Sequence, residues 1–323
     1  MGRSEGLAVT DGDADLTGVA TTVQPTSLRP APAGRSSSDG RRKLFAFLLT
    51  PPVLFLALFL VAPLVLMAAL SFRADLSGPL LEPWAPTLEH YAELIEVPSF
   101  LRLLGTSTVI AAIVGGLATA LAFPLAYFLR FRAGDRATLY LLLLLVPFWT
   151  SYLLRVVAWR LMLGQEGVVN SFLISIGLIA EPISELLYNR MAVVVTLVYV
   201  WIPFAALPIL AALQRVDPAL HEAAGDLYAR PRDQFLRVTL PLSVPGVLIA
   251  FFMVFIPTVG EYVTPMLVGG PGGSMYGNII QDFFTRAANW PFGSMLAIVM
   301  LVFTLVLTAI AAKLIDVRRF LPR

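Results

Sequence analysis

Five uncharged runs, Leu44 to Leu70, Gly105 to Leu129, Met191 to Leu213, Val238 to Gly260 and Pro291 to Ala312, dominate the chain. Each is long enough to cross a hydrocarbon core as a helix, which takes about 20 residues. A sixth run, Ala137 to Leu163, carries Arg155 and Arg160. Backbone groups in lipid must pair within their own segment, and the patterning lacks the alternation of a barrel strand, so the runs predict an all-α integral membrane protein of six transmembrane helices. Hydrophobic residues make up 58% of the chain and charged ones only 14%, which agrees with a lipid solvent. "VVNSFLISIGLIA", Val168 to Ala180, is too short to span and is expected at the interface or folded back into the protein.

Several classes are excluded early. The net charge is +2, but the basic residues sit beside apolar runs and form no patch interleaved with aromatics, so no nucleic acid is expected as a partner. With no cysteine there is no disulfide, thiolate metal site or cysteine nucleophile. The segment 1–43 is rich in Gly, Ser, Pro and Asp and is expected to be a disordered tail. The apolar run that follows starts too late and runs too long for a cleavable signal, and is read as a retained span. The membrane domain then occupies 44–315, with a short carboxyl-terminal tail at 316–323.

Arginine and lysine near spans resist translocation, which sets orientation. With the amino terminus inside, the inner segments hold 17 basic residues and the outer loops only Arg73, Arg102, Arg190 and Arg286. Both termini and the loop at 214–241 are therefore expected in the cytoplasm. The outer loops are acidic, with Glu89, Glu93, Glu96, Glu166, Glu181 and Glu185 among their residues.

That inner loop carries a folded, charged interruption, "HEAAGDLYARPRDQFLRVTLPLSVPG". Asp217 can cap a helix whose first residue is Pro218, where a missing N–H is harmless. Leu220, Ala223, Ala224 and Leu227 then share one face, and Glu222 and Asp226 line the other. A second short helix is expected from Pro231, with Pro241 and Pro245 marking the start of the fifth span. Two readings follow: a loop helix lying on the membrane surface, or a knob that fits a partner's groove.

Glu222, Ala223, Ala224 and, further on, Leu240 and Pro241 resemble the EAA loop of permease subunits in binding-protein-dependent ABC importers. Tyr228 stands where that pattern has glycine. A non-glycine residue in a left-handed turn costs about 1 kcal/mol or more, so either the turn takes another conformation or it bears strain. "PFWTSYLLRVVAW", "VYVWIPFAALPILAALQRVDPALHEAA" and "FIPTVGEYVTPMLVGGP" are similar to the spermidine/putrescine (polyamine) branch of that family. Permeases for opines, phosphonates or other small solutes share much of this.

The resemblance implies the type I importer permease (MetI-like) architecture, located in the bacterial inner membrane. It also implies two ATPase subunits that bind ATP and Mg, a second homologous permease and an extracytoplasmic solute-binding protein. On that reading Leu220, Glu222, Ala223, Ala224, Asp226, Leu227, Tyr228, Leu240 and Pro241 couple the chain to the ATPase, with Glu222 as the charged contact. No G-x-x-x-x-G-K-[ST] loop occurs in the sequence. This chain is therefore expected to bind no cofactor and to take its energy from a partner.

For the substrate pathway, ionisable residues at membrane depth are the natural candidates. Glu261 follows Pro257 and Gly260, which weaken the end of the fifth helix. It either meets an ammonium group in transit or reaches outer water. Arg155 approaches the outer side of its run, Ala137 to Leu163, read as one straight helix, where it either pairs with Glu261, snorkels to the interface or takes part in gating. Trp149, Tyr152 and Tyr262 offer aromatic faces to a polycation, against belt and packing roles. A self-contained secondary transporter would show polar clusters in several spans or an inverted repeat, and a membrane enzyme would show a catalytic constellation. Neither pattern is evident.

Overall fold

The computed structural model describes residues 38–74 and 86–314, and the regular secondary structure of the described part is helical apart from one isolated bridge, Arg73 to Pro86. Most of the expected amino-terminal tail and all of 316–323 lie outside the described residues. The chain divides into two units, Met1–Ala57 and Leu58–Arg323. In the first, the described element is α1 (Ser38–Leu56), which starts six residues ahead of the apolar run because an internally bonded backbone can extend beyond the hydrocarbon.

The second unit opens with α2 (Ala62–Leu70), the short amphipathic α3 (Glu89–Glu96) and the long α4 (Pro98–Phe131). Then come α5 (Ala137–Leu145), α6 (Tyr152–Leu163), α7 (Val168–Ser175) and α8 (Arg190–Gln214). The loop helix α9 (Pro218–Asp226) is followed by α10 (Pro231–Gln234), α11 (Leu240–Val259), α12 (Tyr276–Thr285) and α13 (Trp290–Leu314). Five helical stretches among the described residues are long and apolar enough to cross a membrane: Phe47–Leu70, Pro98–Phe131, Arg190–Gln214, Pro231–Val259 and Trp290–Lys313.

The helix expected over Ala137 to Leu163, third in chain order, is not straight. Gly134–Trp149 and Tyr152–Ser175 meet at a bend of 88°. Pro147 opens a 3₁₀ turn at Val146–Trp149, and Thr150 is extended (φ −89°, ψ 150°), which ends the first segment before Ser151 starts the next. The Val168–Ala180 stretch belongs to this bent element, with α7 as its last helical part. Gly164 to Gly167 makes the turn into α7. A Cβ on Gly167 would stand 2.4 Å from the Met162 carbonyl oxygen, so only glycine fits there.

The core forms where α4, α8 and α11 cross. Lipid tails give helices no hydrophobic reason to associate, so close backbone approach and packing must hold them. Ala111, Ala118, Ala122 and Ala126 of α4 are fully buried, and Gly115 lies under the Phe251 ring. At Gly246 a Cβ would come within 2.4 Å of Ala212 Cβ and 2.6 Å of the Pro208 carbonyl oxygen. Burial follows this arrangement: Arg190–Gln214 buries most of its apolar stretch, whereas Trp290–Lys313 buries little of it. Gly246→Val should therefore force α11 off α8, costing about 1–3 kcal/mol. The expected result is a lower melting temperature of the purified, detergent-solubilised chain, followed by tryptophan fluorescence. A wild-type melting temperature would show that the crossing tolerates the added bulk.

Candidate functional site

The loop between α8 and α11 folds as the expected compact knob. Asp217 caps α9 by accepting from the Ala219 N–H at 2.9 Å, with Pro218 in the first turn. The helix closes with the Tyr228 N–H donating to the Gly225 carbonyl (2.8 Å) and the Ala229 N–H to that of Ala224 (3.0 Å). Tyr228 has φ +58°, so it holds the left-handed conformation and bears the strain that glycine would relieve.

The structure shows which face of α9 meets its own chain. His221 and Ala224 are half-buried, whereas Leu220, Glu222, Ala223 and Asp226 are exposed. At the tip, Leu227 is 82% and Tyr228 96% exposed. Leu220, Ala223 and Leu227 of the predicted apolar face are thus directed outward, leaving oily side chains uncovered beside the acidic ones, while Ala224 is turned partly inward.

The expected second helix does start at Pro231, as α10, but it is continuous with the fifth span. Pro231–Val259 runs as one helical stretch interrupted by a π turn at Phe235–Thr239. Pro241 explains the turn. It has no N–H to give and its ring crowds the carbonyl four residues back, so the helix widens, and the Leu240 N–H reaches the Phe235 carbonyl instead. Leu240 is half-buried and Pro241 exposed at this elbow.

A second cluster forms where α11 ends. The Glu261 carboxylate caps the following segment, its Oε1 accepting from the Val263 N–H at 2.9 Å and the Thr264 N–H at 3.2 Å. Buried Thr264 bonds through Oγ1 to the Tyr152 hydroxyl at 2.6 Å, tying the bent third span to the end of the fifth. The Tyr262 carbonyl accepts from Asn278 Nδ2 at 2.8 Å. Gly277 lets α12 approach so closely that a Cβ would stand 2.5 Å from the Gly260 carbonyl oxygen.

Tyr152, Arg155 and Glu261 are therefore neighbours, with Arg155 and Glu261 both within electrostatic range of the Tyr152 side chain. Arg155 does not pair with Glu261. Its guanidinium lies 4.7 Å from the Phe148 ring centroid and 5.9 Å from that of Tyr152, and its Nε is buried with no hydrogen-bond partner. Since the helix bends before Arg155, distance along a straight axis does not locate it. Trp149 is 80% exposed on the 3₁₀ turn, and Tyr262 is also exposed. Thr264, Asn278 and Phe148 join the cluster without having been singled out from the sequence. The run of Pro257, Gly260, Pro265, Gly269, Gly270 and Pro271 was their signal, because broken backbone at membrane depth needs side chains to satisfy it.

The family described as "Binding-protein-dependent transport system inner membrane component" matches residues 34–319. The spermidine/putrescine transport system permease protein PotB of Haemophilus influenzae is 33% identical over 250 residues, which cover 76% of this chain and 84% of that protein. The inner membrane ABC transporter permease protein YdcU of Escherichia coli is 31% identical over 241 residues, covering 71% and 76% respectively. Among solved structures, a chain of a bacterial alginate ABC transporter, crystallised with an alginate pentasaccharide-bound periplasmic protein, superposes with a TM-score of 0.70 at 18% identity. That alignment covers 87% of this chain and 96% of the other. A helical, multi-pass chain with an exposed loop helix between its fourth and fifth spans, matched along nearly its whole membrane domain, belongs to the binding-protein-dependent transport system inner membrane component family.

Proposed function

We propose that this chain is the permease subunit of an ATP-driven importer and forms part of the translocation pathway for polyamines of the putrescine and spermidine class. The observation that carries the substrate class is the 33% identity to a spermidine/putrescine permease across three quarters of the chain. In the working assembly a second related permease completes the pathway, and two ATPase subunits bind ATP and Mg. An extracytoplasmic binding protein delivers the cargo. Both termini and α9 face the cytoplasm.

Each site then has a part. Glu222, Ala223, Leu227 and Tyr228 enter a cleft of the ATPase, where Glu222 meets a basic side chain. Their outward exposure supports this reading, because it leaves a carboxylate and an apolar tip together uncovered by the rest of the chain. In the membrane, Glu261 has one oxygen committed to capping, which leaves the other for an ammonium group, and Tyr152, Trp149 and Tyr262 supply aromatic faces to a passing cation. Arg155, held over the Phe148 and Tyr152 rings, takes a part in gating near the same place.

The test is reconstitution of the four components in proteoliposomes, with uptake of labelled putrescine and spermidine measured against an opine and a phosphonate. ATP-dependent polyamine accumulation is expected. Accumulation of the opine or phosphonate alone would reassign the substrate while leaving the importer class standing.

A further inference from the structure

We propose that His221 is a positioning residue of α9, and that its bond to Thr239 carries movement of the loop helix into the membrane core. This rests on the proposed docking of α9 to an ATPase. The imidazole Nε2 lies 3.0 Å from Thr239 Oγ1, and Thr239 is fully buried. Among the described residues this is the one side-chain hydrogen bond that ties α9 to a membrane-spanning helix.

Its position is what makes the bond useful. Thr239 is the last residue of the π turn, an irregularity of the kind at which helices kink. Phe131, the last residue of α4, sets its ring edge-on to the imidazole at 5.4 Å. Arg130 lies 5.3 Å from the Phe131 ring centroid and donates from Nε to the Leu213 carbonyl near the end of α8 at 3.3 Å. Phe235, which opens the π turn, meets Phe123 and Tyr127 of α4 at 5.8 Å each. One imidazole on the loop helix thus sits where α4, α8 and the elbow of α11 converge. Displacement of α9 reaches all three through it, while the opposite face of the same helix stays free for a partner.

The experiment uses the complete importer in proteoliposomes and records uptake per ATP hydrolysed. His221→Ala and Thr239→Val should each lower that ratio about tenfold, within the usual range of coupling between sites. The double variant should fall no further than either single one, since both remove the same bond. His221→Gln, which can present an amide to Thr239, should recover most of the ratio. Glu222→Lys, which alters only the outward face, serves as the control. If Glu222→Lys uncouples and Thr239→Val keeps the wild-type ratio, or the two single losses multiply in the double variant, the role of His221 is overturned. A wild-type ratio in Glu222→Lys would instead bring down the docking reading and this proposal with it. Should His221→Ala fail to assemble, Thr239→Val, close in volume, decides alone.

Discussion

Glu222→Lys is expected to abolish productive coupling: the complex inserts and assembles, ATP hydrolysis continues, and substrate uptake falls at least about 30-fold, as when one partner of a buried interfacial charge pair is lost. The reason lies in the geometry of α9. Glu222 is exposed and makes no hydrogen bond or ion pair within the described residues, so its loss costs the isolated chain little. Inside a cleft built for a carboxylate, an ammonium group meets its own sign of charge. Ala223→Trp should act in the same direction through volume, because its methyl group occupies the outward face and an indole would overfill a close-packed groove. Parallel measurement of uptake and hydrolysis in proteoliposomes separates uncoupling from misfolding. Normal uptake by both variants would remove α9 from energy transfer.

Glu261→Gln should raise the KM for polyamine uptake on the order of 10- to 100-fold, the worth of about 1.5–3 kcal/mol for a hydrogen bond to a charged group. Glutamine is the informative replacement. Its Oε1 can still accept from the Val263 and Thr264 N–H groups, so the cap survives and only the charge goes. Glu261→Ala removes both, and its additional loss of stability, about 1 kcal/mol for a missing cap, marks the structural share of the residue. Unchanged uptake kinetics in the glutamine variant would confine Glu261 to capping.

These two residues also show what could be read without coordinates. The loop helix was legible because Asp217 and Pro218 are local start signals whose physics is complete within three residues. The five unbroken spans were legible because lipid forces every backbone group to pair within its own helix. The 88° bend was not, since Pro147 and Thr150 permit a break without requiring one, and the packing of neighbours decides. The same holds for the orientation of α9. Periodicity groups Leu220, Ala223 and Leu227 on one side of the helix but says nothing about which side meets the rest of the chain. That was decided by His221, whose partner Thr239 lies 18 residues away along an elbow that depends on Pro241. The Tyr152 to Thr264 bond, 112 residues apart in sequence, is a tertiary fact of the same kind.

The chain has no cysteine, so Tyr228→Cys gives a single thiol at the tip of the knob, at a position 96% exposed. Labelling it in intact cells and in inverted vesicles with a membrane-impermeant maleimide tests most directly whether this tip faces a cytoplasmic engine. The thiol should react only in inverted vesicles stripped of the ATPase, and adding the ATPase back should protect it. Reaction in intact cells, or labelling that the ATPase leaves unchanged, would contradict the account.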